Sequence, residues 1–164
     1  MTDEKPTIQP GLEIPAATIQ IKSEDGIDAI ETSDYFKDCR VVMFALPGAF
    51  TSTCSAKHLP GYIQNAERLK AAGFDKIACL AVNDAHVMRA WGLENKAEGI
   101  IDMLSDPLHE FSTALGIIRF HGPVLGARAT RCAMVIDKGI LTHIFMEEPA
   151  AFEVSSAEHV LANI

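Results

Sequence analysis

The chain has 164 residues, 48% of them hydrophobic and 22% charged, which suits a globular domain long enough to bury a core. Its net charge of -8, without any basic stripe, argues against a nucleic-acid surface, and no apolar run approaches the roughly 18 residues of a membrane span. The acidic start "MTDEKPTIQP" has neither a signal-peptide core nor an Arg-rich transit pattern, so the expected compartment is the cytoplasm, or an organelle once a transit peptide has been removed.

Alternation in "TIQIK" (18–22) predicts an edge strand, and "SDYFKD" (33–38) a short helix capped by Ser33. The continuous apolar run "RVVMFAL" (40–46) predicts a strand buried on both faces, ending at Pro47-Gly48. Helical spacing of Leu59, Tyr62, Ile63, Ala66 and Leu69 predicts a helix over 56–73, kinked or restarted at Pro60 and stopped by Gly73. A second buried strand is expected at 76–82, then a helix over 83–93 with Asp84 as its N-cap. Residues 105–116 read as a helix with Asp106 as cap, Pro107 at the first helical position and Gly116 as stop. Residues 117–130 read as a loop, and 131–146 as a hairpin turning at Asp137-Lys138-Gly139. A terminal helix over 155–164 opens with a capping box from Ser155 to Glu158. No repeat, low-complexity tract or linker divides residues 1–164, which read as one α/β domain with a mixed central sheet flanked by helices, the layout of thioredoxin-like architecture.

The four cysteines, Cys39, Cys54, Cys79 and Cys132, form no C-x-x-C pair. Cys54 follows a buried strand and a Pro-Gly break, at or near a helix start. Open α/β sheets place functional residues at strand carboxyl ends. Unpaired N–H groups and partial positive charge at a helix start favour thiolate over thiol. The alternative is a small buried hydrophobe, the fate of most free cysteines. Four neighbouring hydroxyls, on Thr51, Ser52, Thr53 and Ser55, weigh against it. A metal site has little support: Cys54 and His58 share ligand spacing, but no second Cys/His pair completes a set. A dithiol site fails similarly, because Thr51 stands where C-x-x-C needs its first cysteine. In a Cys-His hydrolase His58 would be the base, although packing or a surface position on the same helix fits it better.

The segment "PGAFTSTCSAKHLPG" resembles the active-site segment of the peroxiredoxins, in their type II (peroxiredoxin-five-like, atypical two-cysteine) branch. The family pattern P-x-x-x-T-x-x-C is matched by Pro47, Thr51 and Cys54, and the branch surroundings "PGAFT", "CS" and "HLPG" are present. "FDKIACLAVNDAHVMRAWG" (74–92), "GARATRCAMVID" (126–137) and "FEVSSAEHVL" (152–161) are similar to further segments of the branch, and the resemblance spans nearly the whole chain. Ser52 stands where the branch usually has proline, and Ala85-His86 where it commonly has proline and an aromatic.

The resemblance implies a thioredoxin-like fold and a homodimeric thiol peroxidase using no metal, haem or flavin. Its substrate class is hydrogen peroxide, small alkyl hydroperoxides and peroxynitrite. Cys54 would attack the peroxide and become a sulfenic acid. Thr51 and Arg131 would supply hydrogen bonds and positive charge, with Arg128 in support, Pro47 shielding the pocket and Gly48 allowing close approach of the loop. Cys79 matches a cysteine found in plant and bacterial members and is the candidate resolving thiol, although its place in a buried strand reads as core. The late resolving cysteine of other members is absent, because "AAFEVSSAEH" carries Ser155 and Ser156 there. The expected reductant is therefore external: glutathione with glutaredoxin, or alternatively thioredoxin. A peroxide sensor or relay, passing oxidation from Cys54 to a partner protein, is the competing reading.

Overall fold

Thr18–Ser23 (β1) and Gly26–Glu31 (β2) form an antiparallel hairpin, followed by a short helix, Thr32–Phe36 (α1). The structure, a computed structural model, describes residues 8–164, with Cys54 through its backbone. Most of the acidic N-terminal stretch read for targeting lies outside the described residues. The buried run becomes Arg40–Ala45 (β3), and a π-helical segment, Cys54–His58, leads into Leu59–Gln64 (α2) and Ala66–Ala71 (α3). Lys76–Ala81 (β4), Ala85–Glu94 (α4), Asp102–Ser105 (β5) and Glu110–Leu115 (α5) follow. Then come Ile118–Phe120 (β6), Gly122–Leu125 (α6), Ala127–Ala129 (β7), Cys132–Asp137 (β8), Ile140–Met146 (β9) and Ala157–Ala162 (α7).

Among the described residues seven strands make one sheet, ordered β2-β1-β5-β4-β3-β8-β9, while β6 and β7 pair apart from it. The strands β3, β4 and β5 run parallel, and β1 and β8 flank them antiparallel, giving the mixed sheet expected of the thioredoxin-like fold. Apolar side chains fill both faces of β3, as its unbroken hydrophobic run requires. Val42 and Phe44 enter the layer under α2, α3, α4 and α7, with Leu59, Tyr62, Leu69, Trp91 and Val160. Val41, Met43 and Ala45 enter the opposite layer, with Phe36, Phe111 and Leu115 from α1 and α5. The outer strand β9 is partly covered by the N-terminal segment, where Gly11 N donates to Leu141 O and Leu141 N to Leu12 O, each at 2.8 Å.

Several boundaries differ from the sequence reading, each for a physical reason. The strand at 18–22 is internal, because β2, which the pattern did not reveal, covers its outer side. The first helix starts after Glu31 and has no side-chain cap, so Ser33 is not its cap. The long helix passes from the π-helical segment into α2 at Leu59, which is the restart expected at Pro60, and it breaks a second time at Asn65. Residues 102–105 are a strand, and α5 starts only after His109, whose φ of 61° ends a turn through Pro107. Asp106 still serves that helix, accepting from Phe111 N at 3.3 Å and Ser112 N at 2.7 Å. The expected loop at 117–130 holds the β6–α6–β7 excursion. The last helix is capped by Ser156, which accepts from His159 N at 3.1 Å, while Ser155 turns inward. Asp84 caps α4 as expected, accepting from Val87 N at 3.0 Å.

Candidate active site

The loop after β3 lies at the carboxyl end of the parallel strands. Leu46 N still donates to Leu80 O at 3.2 Å, and then the chain leaves the sheet. Asn83, just beyond β4, gathers this end. Its side-chain oxygen accepts from Ala49 N at 2.8 Å, and its backbone carbonyl accepts from Ser105 Oγ at 2.5 Å. Arg128 clamps the loop from the other side, donating through Nη1 to Pro47 O at 3.0 Å and through Nε to Leu125 O at 2.9 Å. Gly48 is where this clamp passes: a Cβ there would sit 2.5 Å from Arg128 Nη1.

Phe50 turns the chain with φ of 62°, a conformation rare for a bulky residue, so that a helical turn can start at Thr51. Ser55 N donates to Thr51 O at 2.9 Å, which places residues 52–54 in the first turn, where N–H groups lack partners within the helix. Thr51 Oγ1 donates its proton to Gly48 O at 2.8 Å. Toward a ligand the hydroxyl is therefore an acceptor.

His58 closes the π-helical segment, fully buried between Phe44, Tyr62 and Phe152. Its Nε2 lies 3.1 Å from Ser155 O, an acceptor, so Nε2 carries the proton. Nδ1 then offers a lone pair, and Arg131 Nη1 donates to it at 2.8 Å. Burial first, and Arg131 second, push the imidazole down from 6.5 to about 3, so it stays neutral. Sequence reasoning set His58 aside as packing or surface. Its signal was a histidine in register with Tyr62, but nothing in the spacing pointed to Arg131, which stands 73 positions away.

Arg131 precedes β8 and lines a hollow of about 310 Å³ with Pro47, Arg119, Phe120, Leu125 and Glu148. Trp91, from α4, donates through Nε1 to Ser55 Oγ at 3.0 Å, next to Cys54 in the chain. The other cysteines are placed differently. Cys79 is wholly buried in β4, between Phe44 of β3 and Met103 of β5. Cys132 is wholly buried at the start of β8, and burial pushes its thiol up to about 12. Cys39 is half-buried and donates from Sγ to Tyr35 O at 3.3 Å. Among the described residues no cluster of three His, Cys, Asp or Glu side chains could hold a metal ion, and no helix is long and apolar enough to cross a membrane.

The Redoxin family model matches residues 9–161. Peroxiredoxin-2E-2, chloroplastic, of Oryza sativa subsp. japonica is 42% identical over 162 residues, covering 94% of this chain and 72% of the rice protein. Peroxiredoxin-2D of Arabidopsis thaliana is 36% identical over 150 residues, covering 90% of this chain and 93% of its own. The structure of reduced Prx3 from Vibrio vulnificus in complex with hydrogen peroxide superposes with a TM-score of 0.92 at 45% identity, covering 95% of this chain and 98% of that one.

Proposed function

The chain belongs to the type II branch of the peroxiredoxins, which are thiol-dependent peroxidases, and we propose that Cys54 is its peroxide-reactive nucleophile. The observation that carries this reading is the coupling of the Cys54–His58 segment, at the carboxyl end of β3, to the Arg131 guanidinium through His58. A thiolate at the start of a helix attacks the terminal peroxide oxygen. The O–O bond breaks, sulfur is oxidised to the sulfenic acid, and the leaving oxygen departs as alkoxide or hydroxide, which takes a proton from solvent water to give alcohol or water. Negative charge moves from sulfur to that oxygen, and Arg131, cationic at every working pH, is the group to stabilise it. Thr51, its proton held by Gly48 O, accepts from the O–H of the hydroperoxide and orients it. Pro47 walls the hollow, and Arg128 fixes the loop that carries it. The substrates are hydrogen peroxide and small alkyl hydroperoxides.

Reduction falls to an external thiol, glutathione with glutaredoxin ahead of thioredoxin. Cys79 supports this reading, because it is packed among core side chains rather than presented at a surface. The protein acts as a homodimer. Phe50, Leu108 and Val124 are 54%, 76% and 91% exposed, large apolar side chains on segments near the sheet end that carries the site. The test is single-turnover peroxide consumption by the reduced protein, then multiple turnover with each reductant system. Loss of consumption in Cys54→Ser is expected. An unchanged rate in that variant refutes the nucleophile, and fast turnover with thioredoxin alone refutes the preferred reductant.

A further inference from the structure

Glu147 is an acid with only 3% of its surface exposed, just past the end of β9, and the mechanism above does not use it. Its carboxylate is nonetheless heavily bonded. Oε2 accepts from Glu153 N at 2.7 Å, Val154 N at 3.1 Å, Ser155 N at 3.0 Å and Ser155 Oγ at 2.7 Å, and Oε1 accepts from Val154 N at 3.2 Å. Burial pushes the carboxyl upward, but the donors from Ser155, Val154 and Glu153 outweigh it and hold the group ionised.

The segment organised in this way ends at a carbonyl that matters. Ser155 O accepts from Tyr62 OH at 2.8 Å and from His58 Nε2–H at 3.1 Å. That second bond selects the tautomer whose Nδ1 receives Arg131 Nη1. Glu147 also reaches Arg131 through the main chain, its N–H donating to Arg131 O at 3.1 Å. Arg131 is thus held at its backbone by Glu147 directly and at its guanidinium by Glu147 through Ser155 and His58. A lone purpose of bracing a surface loop would not require the braced carbonyl to end on the ring that aims the arginine.

We infer that Glu147 is a positioning residue for the peroxide step, fixing Ser155 O so that His58 is locked in one tautomer and aims the Arg131 guanidinium. The inference rests on the proposed role of Arg131. The experiment is a double-mutant cycle on the single-turnover peroxide rate with Glu147→Gln, Arg131→Ala and the pair, with urea unfolding of each protein alongside. Glu147→Gln is expected to slow the reaction about tenfold in the parent and less than about twofold once Arg131 is gone. Ring nitrogen-15 shifts of His58 should move from a single Nε2–H form toward a tautomer mixture. Should Glu147→Gln fold poorly, Ser155→Ala removes one of the bonds alone and should slow the reaction roughly threefold, again only with Arg131 present. An equal loss in both backgrounds, or no loss beside a large Arg131→Ala effect, overturns the inference. A full rate in Arg131→Ala overturns the reading beneath it.

Discussion

His58 should make the fold acid-labile above the pH at which carboxylates protonate. Its imidazole falls from 6.5 to about 3 because burial disfavours the cation and Arg131 repels it. Below about pH 6.5 the unfolded chain therefore binds a proton that the folded chain refuses, and stability falls as pH drops. Inside that window each pH unit costs about 1.4 kcal/mol, so at about pH 5 the loss is about 2 kcal/mol relative to neutral pH. Glu147 acts in the same direction but only below its ordinary 4.5, outside this range. His121, lowered first by burial and next by Arg119, adds a loss of the same sign in the same window, so the comparison must cancel it. His58→Gln does so. Its amide can donate to Ser155 O and accept from Arg131 without titrating. Urea unfolding of both proteins between about pH 7.5 and 5 should show the wild type losing about 2 kcal/mol more than the variant. Parallel curves would mean that the ring protonates normally in the fold, and the neutral-acceptor account of Arg131 would fail.

Cys79→Ala should leave glutathione-supported turnover within about twofold of the parent while lowering stability by about 1 kcal/mol, and a collapse of turnover would restore it as the resolving thiol. Gly48→Ala places a methyl against the mobile end of Arg128, so the clamp on Pro47 O should release at a cost of about 1 kcal/mol in urea unfolding, with a slower peroxide step. If Arg128→Ala fails to mimic that slowing, the clamp is not the cause. Asp84→Ala removes the N-cap of α4 and should cost about 1 kcal/mol by the same assay without touching the peroxide rate.

The parts of the fold legible in the sequence were those whose burial is extreme. β3 and β4 carry unbroken apolar runs because helices cover both faces, and the β8–β9 hairpin turns at Lys138 and Gly139, both at positive φ. Less buried pieces gave weaker signals. β2 reads "GIDAIE", with half-buried and exposed residues throughout, because it pairs on one side only. β5 has four residues, and Asp106-Pro107 beside it imitates a helix start. Ser155 and Ser156 are equally good caps by type, and a carboxylate eight residues earlier, Glu147, decides between them by taking Ser155. The same limit applies to the site. Cys54, Thr51 and Pro47 lie in one motif, while the His58–Arg131 contact joins two segments that only the sheet order brings together.

That contact also explains why a buried histidine suits this position better than an acid. In the proposed reaction peroxide cleavage draws on the charge of the guanidinium, and a carboxylate at the place of His58 would aim Arg131 but offset much of that charge in a low-dielectric setting. A neutral imidazole supplies the directional acceptor without the opposing charge. Burial against Phe44, Tyr62 and Phe152 keeps the ring neutral, and Ser155 O keeps the acceptor nitrogen facing the arginine. Glu147, a buried acid nearby, has its charge directed into backbone N–H groups and a serine hydroxyl, so the positioning inferred for it runs through hydrogen bonds rather than through pairing with the cation. The His58 contact thus holds the cation without neutralising it, which suits a group proposed to act on transient negative charge.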